Sequence, residues 1–148
     1  MMNETSKQVA RTWIIAGFVL VAVGAIINFV VLTSNGYFEV SNFRAYLQVF
    51  SSPLSSLAAC WAWWFLSKIA AEKSDQRPLF QKAFLGLMLQ SLCLCITYVN
   101  LLWTDPNFDS FTSSLWIRVA GLGATAIGFF LMAREFSSKK MLNEEVSP

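Results

Sequence analysis

Four long apolar runs, separated by short polar stretches, dominate the chain. The first extends from Trp13 to Leu32, close to the ~20 residues a helix needs to cross the hydrocarbon of a bilayer. The second runs from Val49 to Ile69 and begins earlier, because Val40, Phe43, Tyr46, Leu47 and Phe50 recur at helical spacing behind Ser41 or Asn42 as a cap. Pro53 predicts a kink in it, or a break between an interfacial piece and a spanning piece. The third starts after Asp75 and Pro78 and ends at Trp103, and the fourth runs from Leu115 to Arg134. The pattern therefore predicts helices over about 12–33, 45–70, 79–103 and 114–135. They form a single all-α domain, an integral membrane antiparallel four-helix transmembrane bundle, with short tails of about ten residues lacking fixed structure. Lys7 and Arg11 imitate the basic end of a secretory signal, but the run is too long and no small-x-small cleavage site follows it, so the first helix is expected to stay as an anchor.

Composition agrees with lipid as the main solvent: 55% of the 148 residues are hydrophobic and only 14% are charged, far from the usual balance of a soluble domain. The position of the charges gives an orientation, because cytoplasmic segments retain Lys and Arg. Lys7 and Arg11 precede the first helix; Lys68, Lys73, Arg77 and Lys82 surround the middle connection; Arg134, Lys139 and Lys140 follow the last helix. Only Arg44 and Arg118 fall toward the other side. Both termini are thus expected in the cytoplasm, in a multi-pass protein of the plasma (inner) membrane. Trp13, Trp61, Trp63 and Trp64 fall toward the inner interface, and Tyr37, Phe38, Tyr46, Trp103, Phe108, Phe111 and Trp116 toward the outer one, as an aromatic belt requires.

Between helices in lipid there is no hydrophobic drive, so small residues and interhelical hydrogen bonds must hold a bundle together. Candidate packing residues are Gly17 and Gly24 on the first helix, Ser56 on the second, Gly86 on the third, and Ala120, Ala124 and Gly128 on the fourth. Asn28 continues the line of Gly17 and Gly24, while Ser52 and Ala59 continue that of Ser56. On the third helix Gly86, Gln90, Cys93, Thr97 and Asn100 recur at intervals of four, three, four and three, the spacing of a packed helix pair. Leu85, Leu89, Leu92, Ile96, Val99 and Trp103 then form its lipid side. Asn28, Gln90, Thr97 and Asn100 are the candidate interhelical or pathway polar residues, since a polar group at that depth is costly without a partner.

Several chemistries find no support. The chain has no histidine, the commonest metal ligand and general base. Cys93 and Cys95 point about 200° apart on a helix and cannot share one metal. No carboxylate lies in the central part of a span, which disfavours a proton-coupled carrier. Asp105, Asp109 and Arg118 read as residues of a solvated outer connection. Gly121-Leu122-Gly123 lies within a span and reads as helix packing, not as a phosphate loop. With a net charge of +2 and no basic run, nucleic acid is not an expected partner. Neither a catalytic residue, a cofactor nor a metal site is expected.

What remains is a small polytopic membrane protein, expected to be non-enzymatic: an accessory, assembly or immunity-type protein that binds membrane lipid and another membrane protein, or itself. The alternative expectation is a small homo-oligomeric transporter or channel, with a polar pathway along helices one and three through Asn28, Gln90, Thr97 and Asn100.

Overall fold

A computed structural model describes residues 4–34, 43–72, 77–104 and 112–144, and each stretch is one α-helix. These are α1 (Glu4–Ser34), α2 (Phe43–Glu72), α3 (Arg77–Thr104) and α4 (Thr112–Glu144). Ser41, Asn42, Asp105 and Asp109 lie outside the described residues, as does most of both outer connections. The described helices outrun the apolar stretches: α1 starts at Glu4 and α4 continues to Glu144, where tails without fixed structure were expected. Pro53 lies inside α2 without ending it.

Three helices are long and apolar enough to cross a membrane, over Thr5–Val31, Pro78–Asn100 and Ser114–Ser137. The fourth, α2, is of similar length. Its apolar character is diluted by Ser51, Ser52, Pro53, Ser55 and Ser56 in one half.

The most extensive packing joins α1 to α4. On α1 the buried residues include Ala10, Ile14, Gly17, Val21, Gly24 and Asn28. On α4 they include Ser114, Arg118, Gly121, Thr125, Gly128 and Met132. Both series step by four and three alternately, the repeat that keeps one seam of a helix turned toward a partner. Glycine sets how near the backbones come. A Cβ on Gly17 would sit 2.5 Å from the Gly121 carbonyl oxygen and 2.6 Å from the Thr125 nitrogen, and one on Gly121 would sit 2.7 Å from the Gly17 carbonyl oxygen. At the ends of the seam, Gly24 faces Ser114 and Arg118, while Gly128 faces Ala10 and Ile14. Residue numbers rise along α1 as they fall along α4, so these two helices run in opposite directions. Close approach of this kind supplies the dispersion contacts that replace hydrophobic drive in lipid.

Against this thin seam α3 contributes bulk. Phe84 stacks on Phe136 of α4 with ring centroids 5.5 Å apart, and Phe80 lies 6.0 Å from the same ring. One apolar cluster gathers Ala10, Ile14, Ala59, Phe80, Phe84, Phe129, Met132 and Ala133, and a second gathers Val21, Tyr98, Leu115 and Leu122. The first draws on all four helices, the second on α1, α3 and α4 alone. Among the described residues, α2 joins the apolar core through its second half.

Two expected packing residues are corrected by this arrangement. Gly86 is exposed, and a Cβ added to it would meet nothing within 4 Å. Cys93, Thr97 and Asn100 are exposed with it, so the small and polar line of α3 faces outward. The face α3 turns inward carries Phe80, Phe84, Ser91 and Tyr98. The physical reason is complementarity of size: α4 is already the small-residue helix, and large side chains fill the space beside it. Ala120 is likewise exposed, because the seam of α4 passes through Gly121 and Thr125 instead. Gly17, Gly24, Ser56, Ala124 and Gly128 are buried.

Candidate functional site

The polar interior of the molecule is concentrated at one end, where α1 and α3 finish and α2 and α4 begin. Every helix contributes. Asn28 comes from α1, Ser52 from α2 with the exposed Ser51 at its rim, Tyr98 from α3, and Ser114 and Arg118 from α4. Two contacts fix their common level. The rings of Phe29 and Phe50 lie 6.3 Å apart, which sets Asn28 beside the start of the serine stretch of α2, and Gly24, one turn below Asn28, faces Ser114 and Arg118.

Arg118 is the centre of this layer. Its side chain is 0% exposed, so the sequence-based placement in a solvated connection is overturned. It sits one turn past Ser114 on α4, about 6 Å along the axis at the helical rise, and its stem lies against the place where a Cβ on Gly24 would be. Gly24 therefore makes the room that Arg118 occupies. Arg118 Nη1 donates a hydrogen bond to Tyr98 Oη at 3.4 Å, and the guanidinium carbon stands 5.7 Å from the centroid of the same ring. Tyr98 Oη also lies 3.2 Å from Ser51 Oγ, linking α2, α3 and α4 through one hydroxyl. A charged side chain within a membrane-length helix is costly and turns to the protein interior. A tyrosine ring with its hydroxyl suits a guanidinium both as acceptor and as π-face.

One turn deeper, Gln90 Nε2 donates to Ser55 Oγ at 2.6 Å, and this bond ties α3 to the serine half of α2. Cys95 Sγ donates to the Val119 carbonyl at 3.7 Å. Asn28 Oδ1, Ser52 Oγ and Ser56 Oγ are buried with no hydrogen-bond partner among the described residues. The layer is thus rich in hydroxyl and N–H groups around one fixed positive charge, an arrangement that can hold and orient a hydrogen-bond acceptor or a negative charge.

The four polar residues singled out from the sequence do not come together within one chain. Asn28 is buried at 4% exposure in the layer. Gln90 is half-buried on the α2 side of α3, while Thr97 and Asn100 are exposed. Thr97 Oγ1 donates within its own helix, to the Cys93 carbonyl at 2.8 Å. Sequence reasoning missed Arg118 and Tyr98. The signal was present in the run Ser114, Arg118, Gly121, Thr125 and Gly128, whose alternate spacing of four and three includes the arginine in the seam.

Of the free cysteines, Cys93 is exposed and Cys60 and Cys95 half-buried, with Cys95 packed against the cluster that contains Tyr98. No three His, Cys, Asp or Glu side chains converge among the described residues. Comparison with known proteins finds no matching family model, no matching curated relative and no matching solved structure.

Proposed function

We propose that the chain is a multi-pass membrane protein of four antiparallel crossings with both ends in the cytoplasm, and that it works by contact with another membrane protein or with a second copy of itself. The observation that carries this reading is the outward line of α3. Gly86, Cys93 and Thr97 are exposed along one line, and the space beside Gly86 is open. The chain's own helices meet α3 through Phe80, Phe84 and Tyr98 on other faces. In a bilayer, small residues seven and four apart on one side of a helix form a surface that another helix can pack against. The distribution of Lys and Arg supports the orientation, and it fits the inner membrane of a bacterium-like cell envelope or any plasma membrane equally. A non-enzymatic role fits the lack of histidine and of a central carboxylate in the sequence.

The reading is tested by gentle detergent extraction of the full chain, with identification of whatever stays bound. A specific membrane protein, or a homo-oligomer, is expected with the wild type. G86L and T97L, which replace exposed positions, are expected to leave the fold intact and to reduce that association at least several-fold. Undiminished association in both variants would move the contact away from α3. A transporter with its path along α1 and α3 would need Thr97 and Asn100 to be enclosed by a second copy, since within one chain they look away from Asn28.

A further inference from the structure

On α2, Leu54, Leu57, Trp61, Trp64, Phe65 and Lys68 recur at intervals of three and four. At about 100° per residue they fall on one side of the helix, in a stripe roughly 100° wide. The buried line of Ser52, Ser56 and Ala59 lies on the opposite side, against the bundle. All the residues of the stripe are exposed, Trp61 most of all at 73%. The chain's own helices therefore leave this face of α2 open.

The stripe has a definite length and one charge. Leu54 and Lys68 are 14 residues apart, about 21 Å along a helix. Half the hydrocarbon core of a bilayer plus one headgroup region is about 20–22 Å. With α2 crossing the membrane, the stripe runs from the bilayer centre to the headgroups of one leaflet, and its cation stands at the headgroup end. Lys68 Nζ lies 5.3 Å from the centroid of the Trp64 ring, so the ring holds the ammonium at the edge of the apolar stripe. Among the described residues no carboxylate pairs with Lys68, and positions 43–71 contain no acidic residue. An apolar strip that ends in one cation complements a molecule whose apolar chain ends in one anion. A zwitterionic headgroup would bring its own cation to Lys68, and a small free anion would leave the strip uncovered.

We infer that this stripe is a binding site for one anionic phospholipid, its acyl chain along Leu54, Leu57 and Trp61 and its phosphate at Lys68 beside the Trp64 ring. The inference rests on α2 crossing the bilayer, which is part of the function proposed above. A reporter fused after Ser74 tests that crossing, whereas the measurement below reads lipid retention in detergent, so the two can fail separately.

The test is native mass spectrometry of the full chain in detergent, with phosphatidylglycerol and phosphatidylcholine offered in equal amounts. The wild type is expected to keep one phosphatidylglycerol in preference to phosphatidylcholine. K68Q is expected to lower that preference about five-fold, the effect of one cationic side chain beside anionic headgroups, and K68R to retain it. K82Q removes an exposed lysine of α3 from the same end of the molecule and is expected to change nothing. A wild type without the preference overturns the inference. Equal losses in K68Q and K82Q also overturn it, leaving only a general attraction to basic surface. A lipid-free dimer that K68Q dissociates would give the stripe to a second copy and overturn it too. Tryptophan fluorescence in phosphatidylcholine vesicles supplies the second measurement. Dibrominated phosphatidylglycerol is expected to quench more strongly than dibrominated phosphatidylcholine at equal fraction, and W61F/W64F to remove the difference. A difference that survives in W61F/W64F places the lipid elsewhere and overturns the site.

Discussion

Gly24 on α1 lies against the stem of Arg118 on α4, so that a Cβ on the glycine would stand 2.8 Å from Arg118 Cγ and 2.8 Å from the Ser114 carbonyl oxygen. The carbonyl belongs to the backbone and cannot turn aside. G24A must therefore part the two helices or displace the arginine, and a loss of about 1–3 kcal/mol is expected, the usual cost of overpacking. G86A is the control. Its added methyl meets open space, and alanine is favoured over glycine in a helix by up to ~1 kcal/mol, so that variant should be neutral or more stable. Denaturation of both variants by a titrated harsh detergent compares them directly. Equal losses at the two glycines would contradict the α1/α4 seam.

Tyr98 is expected to be the most sensitive hydroxyl in the molecule. Y98F keeps the ring under the guanidinium but removes the acceptor at 3.4 Å from Arg118 and the link at 3.2 Å to Ser51. A hydrogen bond to a charged group contributes about 1.5–3 kcal/mol, so a loss in that range is expected in the same denaturation measurement. S51A, at an exposed position, should cost well under half as much. A Y98F protein as stable as the wild type would mean that the hydroxyl does not support the arginine.

The bond from Gln90 to Ser55 predicts a specific coupling. Interhelical hydrogen bonds in membranes average about 0.6 kcal/mol. Q90L and S55A should each destabilise the protein modestly, and the double variant should lose less than the sum, leaving a coupling near that value. A cycle that closes at zero would detach α2 from α3 at this level.

The proposed topology makes its own demand. Reporter fusions after Gly36, Ser74, Asn107 and Pro148 should read outside, inside, outside and inside. The fusion after Ser74 is the most informative, because α2 is the helix whose serines dilute its apolar character. A reporter there on the same side as the one after Gly36 would leave α2 on the membrane surface and three crossings in all.

How far the sequence could be read depended on what each helix spends at its interface. On α1 the small and polar line Gly17, Gly24, Asn28 is also the buried line, because this helix packs by letting another backbone come close. The same holds for Ser52, Ser56 and Ala59 on α2. On α3 the rule that small means inside fails, since this helix packs through Phe80, Phe84 and Tyr98. Lipid is as apolar as leucine, so hydropathy does not separate a phenylalanine facing lipid from one facing a helix. The polar layer was half legible. Asn28 stood out as an amide inside a span, but Arg118, only four residues from Ser114, has the position of a connection charge, and only the periodicity of its neighbours reveals it as part of the seam.

The tightest pair, α1 with α4, joins segments about a hundred residues apart. In the proposed multi-pass topology, α1 is made first and waits in the membrane, its glycine groove uncovered, until α4 has been inserted. Over that interval any helix with small residues at the right spacing is a rival for the groove. Assembly of this protein is thus a competition settled late, and the arginine that α4 carries into Gly24 is a feature that a chance apolar rival would lack.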